Sequence, residues 1–123
     1  HVAQIIGCEY DTFLKKRLSG KKIQHTALAH VNAKGKDVVI IDDIISTGGT
    51  IIGAAKHLKK MGAKSVSALC VHLMSDAAGN KLRRNGVSFV AASNTVQTKY
   101  SILDASQAIA TAILKEPLEK QRD

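Results

Sequence analysis

The sequence predicts an α/β domain built on a doubly wound, mostly parallel sheet with helices on both faces. Three observations carry that expectation. Apolar β-branched runs alternate with segments of helical period from Lys34 onward, the links between them are short, and glycines stand where the helical patterns stop. Strand, helix and strand in alternation with short links require right-handed crossovers and parallel pairing.

Each element has its own signal. "VAQIIG" reads as the last turn of a helix closing at Gly7, residues 9–15 as a weak strand, and "KKRLSGKK" as a basic loop. Another weak strand is expected near 23–29. Val38–Ile41 is continuously apolar and β-branched, as in a strand covered on both faces. Residues 50–61 set Ile51, Ala54, Ala55, Leu58 and Met61 at helical spacing, turn Lys56, Lys59 and Lys60 outward, and stop at Gly62. The unit repeats with a strand over Ser65–Leu73, a helix over Asp76–Asn85 ended by Gly86, and a strand over Val87–Ser93. A last helix over about 105–115 turns Ala105, Ala108, Ile109, Ala112 and Ile113 inward and ends before Pro117.

Bulk properties narrow the function. At 123 residues the chain is expected to form a single domain, residues 1–123. Its 18 Lys and Arg against 10 Asp and Glu leave a formal charge of +8, which favours anionic partners. Only Tyr10, Phe13, Phe89 and Tyr100 are aromatic, too few for a base-stacking surface, so nucleic acid is not expected as a partner. No apolar run approaches the roughly 20 residues of a membrane span, and no membrane partner is expected. Cys8 and Cys70 have no CxxC spacing, and Cys70 inside an apolar strand reads as a buried thiol; a reducing, cytoplasmic setting follows.

The chemistry concentrates in "VVIIDDIISTGGT", Val38 to Thr50. In open parallel sheets ligands bind beyond the carboxyl ends of the strands, where this segment leaves β-structure. Its loop runs into a helix N-terminus, where backbone N–H groups lack partners and the helix dipole favours an anion. Ser46, Thr47 and Thr50 add hydroxyls, and Gly48 and Gly49 let the backbone approach closely. That composition suits a phosphomonoester, and both GxxxxGK[ST] and GxGxxG are absent. Asp42 and Asp43 would repel a phosphate set directly on them. A few residues away they suit sugar hydroxyls or Mg²⁺. Asp, Ser and Thr also serve as ordinary helix caps, but two acids ending a buried strand weigh against that plainer explanation.

The thirteen-residue segment resembles the phosphoribosyl-pyrophosphate-binding motif of the type I phosphoribosyltransferase fold. Its detail resembles the carboxyl-terminal half of the ribose-phosphate pyrophosphokinase family in its archaeal-like form. "AAKHLKKMGAKSVSALCVH", "NGVSFVAASNT" and "ILDASQAIATAI" follow that family's order, and "KKRLSGK" sits where its flexible catalytic loop sits. The resemblance implies that Asp42 and Asp43 engage ribose hydroxyls, directly or through Mg²⁺. It implies further that Ser46, Thr47, Gly48, Gly49 and Thr50 cradle the 5-phosphate of ribose 5-phosphate, and that Lys15 and Arg17 reach over the phosphates of ATP. Asn94 and Thr95 match the family's pair near the site mouth, and His72 matches a histidine assigned here a structural role. His1, His25, His30 and His57 show no ligand spacing. Family members are more than twice this length and are expected to be homo-oligomers. A fragment lacking the amino-terminal half, which supplies much of the ATP site, is therefore expected. Two rival readings are a phosphoribosyltransferase that consumes phosphoribosyl pyrophosphate, and a non-catalytic regulatory homologue.

Overall fold

The computed structural model describes residues 1–12, 15–17, 23–25 and 32–115. Helix α1 (Val2–Ile6) is a single turn closed by Gly7 in the left-handed region, and strands β1 (Lys15–Arg17) and β2 (Ile23–His25) pair antiparallel with each other. The body follows as β3 (Asp37–Ile45), α2 (Gly49–Lys60), β4 (Ser65–Leu73), α3 (Asp76–Arg84), β5 (Phe89–Ser93), β6 (Ser101–Leu103) and α4 (Ser106–Lys115).

Strands β3 to β6 form one parallel sheet in the order of the chain. Alternation decides which side chains enter the core. On one face Val66, Ala68 and Cys70 of β4 stand beside Val90 and Ala92 of β5, all buried. Ile51, Ile52, Ala55 and Leu58 of α2, with Ala78 and Leu82 of α3, close over them. The alanines at 68 and 92 are fully buried, and their small side chains let two helices sit close on three strands. The other face is less covered among the described residues: Val39 is 53% exposed, Ile41 54% and Phe89 49%. Helix α4 contains no buried residue.

Most later elements fall within two residues of where sequence pattern puts them, but β3 runs on to Ile45, four residues past the expected Val38–Ile41. Gly62 and Gly86, with φ of 88° and 87°, follow the C-caps of α2 and α3, a position only glycine takes without strain. Three differences stand out. Residues 9–12 form no strand; the first one begins at Lys15, inside the segment expected to be a loop. The expected second strand is observed over Ile23–His25, and residues 26–29 lie outside the described ones, as do residues 18–22 of the expected basic loop. Strand β6 was not expected at all. It is three residues long, pairs with β5 across a register shift at Ala92/Ser93, and follows the turn through Asn94–Tyr100. A segment that short has no period to read. No helix among the described residues is long and apolar enough to cross a membrane.

Candidate functional site

The carboxyl end of β3 is anchored before it turns. Ile45 is 2% exposed, and its carbonyl accepts a hydrogen bond from the Met74 N–H just past β4. The chain then bends through Ser46–Gly48 into α2. Gly48 is the N-cap, with φ 74° and ψ 1°, and a Cβ there would lie 3.0 Å from Leu82 Cδ2 of α3. Both the dihedral and the space require glycine. Its carbonyl accepts the first helical bond, from Ile52 N–H at 2.9 Å.

A glycine N-cap leaves the first amides of α2 without a side-chain acceptor, and the first turn contains no acid. Ser46, Thr47 and Thr50 are exposed and make no hydrogen bond among the described residues. The two neighbouring helices differ. Ser75 Oγ accepts from Ala78 N–H at the start of α3, and Asp104 Oδ1 accepts from Ser106 N–H at the start of α4.

An open hollow lies over this turn, lined by Asp42, Ile44, Ile45, Ser46, Thr47, Gly48, Gly49, Thr50 and Ile51. It gathers Asp42 and all five residues of the expected phosphate cradle. Asp43 does not line it. Asp42 is half-buried and accepts from the Asp43 N–H at 3.0 Å, while Asp43 accepts from the Ile44 N–H at 2.7 Å. Burial, and then the neighbouring Asp43 side chain, push the Asp42 carboxyl above its ordinary value. Asp42 pairs across the sheet with Cys70. Burial of Cys70, and then the Asp42 charge, push its thiol above the ordinary value, as for a thiol packed in the core.

Lys15 and Arg17 lie on β1, which among the described residues pairs with β2 and is not a strand of the parallel sheet. The strand runs through both residues. Ile44, Ile45 and Ile51 are apolar lining that motif reading passed over, because an aliphatic run carries no chemical signal of its own. A second feature reached only through the fold is the contact at 2.7 Å between His72 Nδ1 and Thr95 Oγ1, joining the ends of β4 and β5.

The model of the phosphoribosyl transferase domain matches residues 1–105. The chain belongs to that family. Among curated relatives, ribose-phosphate pyrophosphokinase 2 of Archaeoglobus fulgidus is 41% identical over 90% of this chain and 41% of its own length. The ribose-phosphate pyrophosphokinase of Methanothermobacter thermautotrophicus is 41% identical over 89% of this chain and 38% of its own. The chain thus spans about two fifths of the relatives it matches. Among solved structures, phosphoribosylpyrophosphate synthetase from Mycobacterium smegmatis superposes with a TM-score of 0.59 at 29% identity, covering 78% of this chain and 34% of that one. The parallel α/β architecture is therefore that of the phosphoribosyl transferase family, and the relatives with this resemblance are enzymes by name.

Proposed function

We propose that this chain is the ribose-5-phosphate-binding domain of a ribose-phosphate pyrophosphokinase. The observation that carries the reading is the start of α2. It alone of α2, α3 and α4 has no side-chain cap, and it is ringed by three hydroxyls without partners among the described residues. There the 5-phosphate takes the free amides and the hydroxyls of Thr47 and Thr50, and the sugar lies back toward Asp42.

In the reaction the ribose 1-hydroxyl oxygen forms a bond to the β-phosphorus of ATP. The bond from that phosphorus to the α,β-bridging oxygen breaks, AMP leaves, and the hydroxyl proton is lost. Positioning and charge stabilisation supply most of such catalysis. Lys15 and Arg17 are assigned to the ATP phosphates, and Asp42 and Asp43 to the ribose hydroxyls. Among the described residues no three His, Cys, Asp or Glu side chains gather into a metal site. Mg²⁺ nevertheless suits the residues present, because it is commonly held by one or two carboxylates with substrate phosphates and water. Asp42 and Asp43 would hold it, and when bound it would neutralise charge on the transferring phosphates.

Calorimetry with ribose 5-phosphate tests the site. Thr47→Ala and Thr50→Ala should each weaken binding by about 0.5–1.5 kcal/mol, the worth of one hydrogen bond. Unchanged affinity in both variants would remove the cradle from the argument. The reaction is tested by ribose-5-phosphate-dependent AMP release. The chain alone should not turn over, and adding the amino-terminal portion of a relative should restore it, since both substrates must be held within about 3–3.5 Å.

A further inference from the structure

His72 stands at the carboxyl end of β4, half-buried, and its partner across the sheet is Ile44, which lines the hollow. Neighbouring strands lie about 4.8 Å apart, so the histidine is one strand away from the acids and the phosphate cradle. His72 does not itself line the hollow, but a sugar that extends from a phosphate at the start of α2 across the strand ends toward β4 would come within its reach.

The state of the ring follows from counting protons. Four short contacts meet here: His72 Nδ1 to Thr95 Oγ1 at 2.7 Å, Ser93 Oγ to Thr95 Oγ1 at 2.8 Å, Ser93 Oγ to the Val71 carbonyl at 2.8 Å, and Thr95 Oγ1 to the same carbonyl at 3.1 Å. The two hydroxyls supply one proton each, and the carbonyl supplies none. Without a proton on Nδ1 only two of the four contacts are hydrogen bonds; with one, three are. The arrangement favours the tautomer in which Nδ1 donates to Thr95. In that tautomer Nε2 is an acceptor, and it has no partner among the described residues. A histidine serving only to brace β4 against β5 needs Nδ1 alone.

We infer that His72 is a sugar-recognition residue: its Nε2 accepts a hydrogen bond from a ring hydroxyl of the bound pentose phosphate, and Thr95 and Ser93 hold the imidazole in the tautomer that can do so. The inference rests on the proposed ribose-5-phosphate reading and assigns a third contact to the same site, on a different strand from the two acids. It separates the tasks within the site, with the α2 turn reading the phosphate and His72 reading the sugar.

The test compares two ligands, inorganic phosphate and ribose 5-phosphate, titrated calorimetrically against the chain and its variants. His72→Ala and His72→Asn should lose about fivefold in affinity for ribose 5-phosphate, as expected for one hydrogen bond, with phosphate affinity unchanged. His72→Gln, whose amide oxygen reaches the region of Nε2, should recover most of the loss. Thr95→Val should fall between, because the ring survives but its tautomer is no longer held. Thr47→Ala serves as the marker for the cradle and should weaken both ligands together. The inference is overturned if His72→Ala leaves the sugar phosphate unaffected, or lowers both ligands in parallel as a loosened sheet end would. It is overturned also if Gln does no better than Asn. Binding of both ligands that ignores Thr47→Ala would instead sink the underlying site reading, and this inference with it.

Discussion

Helices α2 and α3 start at the same edge of the same sheet, one strand apart, and their first turns are built to opposite ends. α3 opens on Ser75, whose hydroxyl accepts from the Ala78 amide, and Asp76 adds a carboxylate at the positive end of the helix. Asp76 also accepts from the Lys99 N–H at 2.9 Å, which ties the turn before β6 to the helix start. α2 opens on a buried glycine, contains no acid in its first turn, and leaves its hydroxyls without partners among the described residues. One helix start is satisfied by its own chain and contributes to stability. The other is left open by the described residues.

The largest test of this contrast is Gly79→Ala in α3. Gly79 is buried against Tyr100, and an added Cβ would overlap the ring at Cδ2 and Cε2. Displacing the ring also endangers the bond from Tyr100 Oη to Asn80 Oδ1 at 2.9 Å. Overpacking of this kind costs about 1–3 kcal/mol, and this should be the steepest fall in Tm among single changes at either helix start. Ligand affinity at α2 should barely move. A melt indistinguishable from the parent would show that the α3 start is not the rigid partner described.

Gly48→Ala should come next, and it should damage both properties. The left-handed conformation costs a non-glycine residue about 1–2 kcal/mol, and the added carbon meets Leu82 at 3.0 Å. Melting and phosphate titration on one preparation would show whether stability and affinity fall together. A stable variant with intact affinity would mean that the turn tolerates another geometry.

Ser75→Ala against Thr47→Ala is the direct comparison of the two starts. Removing the α3 cap should cost about 1 kcal/mol of stability and leave ligand binding alone. Removing the Thr47 hydroxyl should change stability by less than about 0.5 kcal/mol while weakening the ligand. Equal stability losses in denaturant titrations would erase the distinction.

The smallest expected effect carries an unusual sign. The Asp42 carboxyl is held above its ordinary value, by burial first and by Asp43 second. Its ionised form therefore opposes folding at pH values above the raised folded-state pKa, and the penalty fades as pH falls from there to the ordinary carboxylate range, below which it is gone. Asp42→Asn should raise Tm slightly at neutral pH, with no gain in acid, and should weaken the sugar phosphate. A drop in Tm at neutral pH would show that Asp42 stabilises the turn instead of serving the ligand.

Local pattern and tertiary packing contributed differently to this site. That Asp42 and Ser46–Thr50 line one hollow was legible because a strand, a glycine turn and an amphipathic helix follow one another directly in the chain, and backbone geometry brings such neighbours together. Helix bounds were legible for the same reason, since the 3.6-residue period and the glycines at 62 and 86 are local signals. Strand β6 was not, because three residues have no period and Ser101–Leu103 pairs only where β5 and the turn before it present an edge. Nor could sequence show that Asp43 stays out of the hollow while Asp42 lines it, or that His72 meets Thr95 across two strand ends. The sequence by itself determined the alternation of strands and helices and the glycine turn that opens α2, through periodicity and local backbone preference. Only the tertiary structure decided which distant side chains share the carboxyl edge of the sheet, because parallel register sets residues such as Asp42 and Cys70, or Cys70 and Ala92, side by side and no local preference encodes that distance.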